Sequence, residues 1–137
     1  MHRTPPPSSP PDASISGWLA RFGLDDLLHG HVAHVVERLP HPVRDDFLGD
    51  PSFSMCDYEP GVGVVVHVPV GRPLGRRRPG RSVVLKRTLR HRPVAFIRYV
   101  IAHELAHSHL HNRGRFPGDD PEHAADALAE SWGFPRP

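Results

Sequence analysis

His103, Glu104 and His107 make the pattern H-E-x-x-H inside a stretch, Val94 to His111, that reads as one helix. Residues four apart lie on the same helical face, so the two imidazoles can address a single cation. Glu104 stands one residue along, near enough to handle a proton of water held by that cation. Two imidazoles beside a carboxylate are the working parts of a hydrolytic zinc centre. The chain has 12 His among 137 residues, so the pattern has to be weighed with its surroundings. From Val94 to His103 the residues are apolar nearly all round, which predicts a buried helix. Burying two imidazoles and a carboxylate without partners is costly, and a metal ion would satisfy all three. The competing reading of the same residues is a helix with solvated histidines.

A catalytic zinc site takes three protein ligands and keeps one position open. Downstream, Asp120 is a good N-cap and Pro121 suits the first position of a second helix. Ala125, Leu128, Ala129 and Trp132 form its apolar stripe, and Glu122 lies on the Ala125/Ala129 side. A carboxylate in the first turn of an inward face can complete the metal site. It can also simply complement the helix dipole. Asp126, one turn on, could orient a ligand imidazole by accepting its other N–H.

His103-Glu104-Leu105-Ala106-His107, followed by Glu122, Ala125 and Asp126 as E-x-x-A-D and a helix ending Trp132-Gly133-Phe134, resembles the gluzincin metallopeptidases. The HtpX/CAAX-protease and ImmA/IrrE types are the most similar groups. The resemblance spans about Ser82 to Phe134 and is specific at the two motifs. It implies zinc held by His103, His107 and Glu122, with Glu104 as general base and Asp126 behind the ligands. The HtpX type carries membrane helices, and this sequence has none. Tyr99-Val100-Ile101-Ala102-His103, with a strand before the helix, also resembles SprT-like domains, which imply a third histidine shortly after the motif. His109 and His111 are the residues available for that role.

These residues need a scaffold. Asp12 or Ser14 is expected to cap a short helix holding Ile15, Trp18, Leu19 and Phe22, ended by Gly23. Leu24 to Leu39 reads as a second helix with Leu27, Leu28, Val32, Val35 and Val36 inward, stopped by Pro40 and Pro42. His29, His31 and His34 fall on it. They could form a second metal cluster, but solvated or capping roles are expected for them. Ser52 to Tyr58, Gly61 to Val70 and Arg81 to Leu85 read as strands, with a turn at Glu59-Pro60-Gly61. A short helix or turn follows near Lys86 to Arg90, and Pro93 opens the motif helix. The expectation is an α+β domain: a minimal zincin-like core with N-terminal helices, a small mainly antiparallel sheet, an active-site helix and a C-terminal third-ligand helix.

The length allows one domain with a modest core, expected over residues 12–137, behind a disordered Pro/Ser-rich tail at residues 1–11. Net charge is only +2, so the chain is not a polycation. The loop from Gly71 to Arg81, with Arg76, Arg77 and Arg78 at its centre, could bind a nucleic-acid backbone, but it has no interleaved aromatic and reads better as a solvated loop. Cys56 stands alone, which suits a reducing cytoplasm. No apolar run is long enough to span a membrane, and no export signal is visible. The chemistry expected is hydrolysis of a peptide or protein substrate; the alternative is a zinc-binding regulatory or DNA-associated, SprT-like module with little proteolysis of its own. The oxyanion donor is not assigned, Tyr58, His109 and His123 being weak candidates.

Overall fold

The computed structural model describes residues 9–59, 82–112 and 120–137. In chain order the elements are α1 (Ser9–Ala20), α2 (Asp26–Glu37), α3 (His41–Leu48), β1 (Ser54–Tyr58), β2 (Ser82–Lys86), a 3-10 helix (Arg87–His91), α4 (Val94–Asn112) and α5 (Pro121–Ser131). The class is α+β, as expected: five helices and a two-stranded sheet among the described residues.

The sheet corrects one expectation. β1 and β2 run parallel, with Ser54 opposite Ser82 and Tyr58 opposite Lys86, where antiparallel pairing was expected. A parallel pair requires the chain to return to its starting end, over a dozen or more residues. Residues 59–81 supply that length. The strand expected at Gly61 to Val70 and the arginine-rich loop lie outside the described residues.

The helices follow the apolar pattern with three local departures. α1 starts at Ser9, upstream of the Asp12 or Ser14 cap. Pro40 and Pro42 do more than end α2. With Pro40 as N-cap and Pro42 in the first turn they open α3, because proline is tolerated where no backbone N–H is needed. Leu27 was expected inward, yet it is 48% exposed, because it sits in the first turn of α2 on the solvent side of Leu28.

The core joins all elements. Ile15 and Leu19 of α1, Leu28, Val32, Val35 and Val36 of α2, Phe47 of α3, and Ile97, Ile101 and Leu105 of α4 are all buried in one cluster. Each such side chain contributes roughly 1.5–3 kcal/mol by leaving water. Met55, Val83 and Leu85 close it from the sheet, while Val84 faces outward, as strand alternation requires.

A polar clasp ties the sheet to the helices. Asp57 of β1 accepts from the backbone N–H of Asp25 at 2.6 Å and from Arg87 Nη2 at 2.8 Å. Asp25 in turn caps α2 through the N–H groups of Leu27 and Leu28 and accepts from Arg90 at 2.8 Å. Burial alone would raise the Asp25 carboxyl, but these donors hold it below its ordinary value. The result is a fixed start for the segment that leads into α4.

Candidate metal centre

α4 is buried along Ile97, Ile101, Ala102, Leu105 and Ala106. It packs principally on α5, whose buried residues are Ala125 and Ala129. Alanines on both helices let the backbones approach closely, within reach of short acidic side chains. Tyr99, His103 and His107 step along α4 four residues at a time. Glu122 and Asp126 do the same on α5, so two side-chain ladders face one another.

The contacts between the ladders are short. His103 Nε2 lies 2.9 Å from Glu122 Oε1, and His107 Nε2 lies 2.6 Å from Glu122 Oε2. The two rings are edge to face with centroids 4.9 Å apart. Behind His103, Nδ1 is 2.7 Å from Asp126 Oδ1. The same Oδ1 accepts from the Tyr99 hydroxyl at 2.6 Å, and Oδ2 accepts from Arg136 at 2.9 Å. His103 is buried and His107 half-buried, while the Glu122 side chain is 68% exposed and folds back over the pair.

Local sequence explains the placement. Asp120 caps α5 through the N–H of Glu122, with Pro121 at the first helical position, so Glu122 begins the helix at the mouth of the ladder. At the other end Gly133, with φ of 102°, reverses the chain: its N–H bonds the carbonyl of Glu130, and that of Phe134 bonds Ala129. This Schellman closure needs a left-handed residue, and it brings Arg136 back to Asp126.

Electrostatics follow from these contacts. Burial would push Asp126 up, but the hydrogen bonds from Tyr99, Arg136 and His103 hold it at about 2. Burial and the bond to Asp126 push Tyr99 up to about 12. The bond from His107 lowers Glu122, burial opposes it, and the bond from His103 adds to the lowering. Both carboxylates are therefore ionised at neutral pH. His103 then has an acceptor at each ring nitrogen, although a neutral imidazole carries a single N–H. Either a second ring proton or a metal ion at Nε2 would satisfy the Glu122 side.

The ligand atoms of His103, His107 and Glu122 all lie within 4.8 Å of one another, and they are the only such group among the described residues. Ligands of a tetrahedral ion with bonds near 2.0 Å are about 3.3 Å apart, so small side-chain rotations would seat it. Two imidazoles and one carboxylate form a donor set that could hold a metal ion.

The remaining candidates divide. Glu104, next to His103 on α4, lines a cleft of about 460 Å³ walled by Val84 and Lys86 of β2, Leu89, Arg92, Phe96 and Val100. His109 is turned away: its Nδ1 lies 2.7 Å from Asp46 Oδ2 of α3. The His111 side chain lies outside the described residues. His123 is exposed, and no hydrogen bond joins it or Tyr58 to the cluster among the described residues. Among the described residues, His29, His31 and His34 form no metal cluster. His31 is buried and accepts from Arg98 Nε at 3.2 Å, where solvation or capping was expected.

Sequence reasoning missed Tyr99 and Arg136 as partners of Asp126. Tyr99 had a legible signal, one helical turn before His103; Arg136 had none, because only the turn at Gly133 brings it back. Among the described residues, no helix is long and apolar enough to cross a membrane. Comparison of the chain with protein-family models, curated proteins and solved structures finds no match.

Proposed function

We propose that the chain is a zinc-dependent metallopeptidase, acting on peptide or protein substrates with Glu104 as general base. The observation that carries this reading is the convergence of His103, His107 and Glu122, with Glu104, the residue next to His103 on α4, lining a cleft. His103, His107 and Glu122 would hold the ion. Zinc, when bound, acts as a Lewis acid and lowers the pKa of water at its open position.

The chain's own residues do the rest. Asp126 accepts the Nδ1 proton of His103 and so keeps Nε2 aimed at Glu122. Tyr99 and Arg136 hold Asp126. Glu104 takes a proton from the attacking water and returns it to the leaving amine. The apolar walls of the cleft, Leu89, Phe96 and Val100, exclude water from the substrate's side chain. β2 lies along the same cleft and offers an extended substrate a strand to pair with.

The geometry favours Glu122 over the histidine alternative for the third ligand. Glu122 touches both motif imidazoles, whereas His109 is engaged by Asp46 across the helix pair. The deciding experiment is metal analysis of the purified protein, followed by a proteome-wide cleavage screen of wild type against Glu104→Gln. Zinc at about one equivalent, with cleavage products absent from the variant, is expected. Equal cleavage by both proteins would overturn the peptidase reading.

A further inference from the structure

A second cavity, of about 620 Å³, lies between the end of α2, the start of α4 and the segment after α5. His34, Arg38, Val94, Arg98, Trp132 and Phe134 line it, and no Asp or Glu does. Its volume is in the range of small-molecule sites.

The walls are of two kinds. Trp132 and Phe134 line the cavity although each is only 8% exposed, and Val94 is 50% exposed. The other side carries two guanidiniums. Arg98 uses Nε on His31 and, among the described residues, pairs with no carboxylate. Among the described residues its two terminal amino groups have no hydrogen-bond partner. Arg38 donates to the His34 carbonyl at 3.1 Å and pairs with Glu37, outside the cavity, at 3.8 Å. Burial lowers the pKa of His34, and the charges of Arg98, Arg38 and His31 lower it further. A planar guanidinium fork binds a carboxylate with two parallel hydrogen bonds.

We propose that this cavity binds an organic anion, a carboxylate joined to an apolar or aromatic group, with Arg38 and Arg98 on the carboxylate and Trp132 and Phe134 on the apolar part. The site is separate from the His103–His107–Glu122 cluster and does not depend on the metal. Two sources share this chemistry: a free organic acid, and a peptide whose last residue is aromatic.

The chain has two tryptophans, Trp18 and Trp132, so Trp18→Phe leaves Trp132 as the sole reporter in the cavity. The test is fluorescence titration of this full-length variant with phenylacetate and with acetyl-alanyl-phenylalanine, each against its uncharged amide. The acids are expected to bind at least about tenfold more tightly than their amides, the scale of one charge-assisted hydrogen bond. The tighter of the two acids identifies the source. Arg98→Met and Arg38→Met should each remove about tenfold in affinity. Arg98 also supports His31; Arg38 lies at the surface, so its variant reads binding without disturbing the helix pair. Equal binding of acid and amide, wild-type affinity in a folded Arg38→Met protein, or no saturation by either acid up to about 10 mM would overturn the proposal.

Discussion

The Asp126 carboxylate lies 2.7 Å from Nδ1 of His103 and accepts its proton, since a carboxyl held at about 2 is ionised at neutral pH and can only accept. That bond decides which nitrogen His103 offers to Glu122. With Nδ1 occupied, Nε2 is the nitrogen left for a cation, and it is the one that faces Glu122. Asp126→Asn should keep the fold but weaken zinc binding by about 10- to 100-fold, because the amide no longer enforces the tautomer. Tyr99→Phe and Arg136→Met should weaken it less, since each removes one of the bonds that hold Asp126. Competition with a chelator of known affinity measures all three, and unchanged affinity in Asp126→Asn would contradict the orienting role.

Loss of a ligand should cost metal and stability together. His103→Ala, His107→Ala and Glu122→Ala are each expected to purify with little zinc and to lose the thermal stabilisation that added zinc confers on wild type, because binding energy is also folding energy. Metal content and the zinc-induced shift in melting temperature are the readouts. Stoichiometric zinc in Glu122→Ala would return the third-ligand role to a histidine.

Glu104→Gln should separate chemistry from structure. The amide preserves size, and Glu104 is not among the residues that would hold the ion, so zinc content and melting temperature should stay near wild type. Hydrolysis should fall by roughly a hundredfold or more, the scale of a missing general base.

His109→Ala tests the alternative ligand from the other side. His109 and Asp46 are both largely buried and 2.7 Å apart. The variant should therefore lose about 1–3 kcal/mol of stability by breaking this contact between α3 and α4, while zinc affinity stays unchanged. Denaturant unfolding and metal titration of the same preparation distinguish the two roles.

His31 should make the fold acid-sensitive. Burial, and then the charge of Arg98, lower its pKa from 6.5. Below 6.5 the unfolded chain takes up a proton that the native His31 resists, so the unfolded state binds more protons and stability rises with pH. The contribution is complete above 6.5 and lost as pH falls below it. In His31→Asn the side-chain oxygen can still accept from Arg98 but does not titrate. The stability difference between wild type and this variant, measured by urea unfolding in chelator, should therefore shift against wild type between about pH 7.5 and pH 5. A difference that stays constant across that range would remove His31 as the cause.

Much of the site could be read from short-range pattern. The i, i+4 spacing of His103 and His107 within an apolar helix, the Asp120-Pro121 start of α5 and the inward stripe of Ala125 and Ala129 depend only on helical geometry and capping, which are local. So the two helices, and the faces carrying His103, His107, Glu122 and Asp126, were legible in the chain itself. Three features were decided by tertiary structure. The direction of β2 against β1 is not legible in alternation, because strand patterning is the same for parallel and antiparallel partners. The partners of His109 and His31, Asp46 and Arg98, lie 63 and 67 residues away in the chain, and no local spacing relates them. The return of Arg136 to Asp126 depends on the left-handed turn at Gly133 and on the packing of Trp132 and Phe134 into the core. Helix faces are set by periodicity, whereas the choice of partner for a buried charge is set by whichever elements the core brings together.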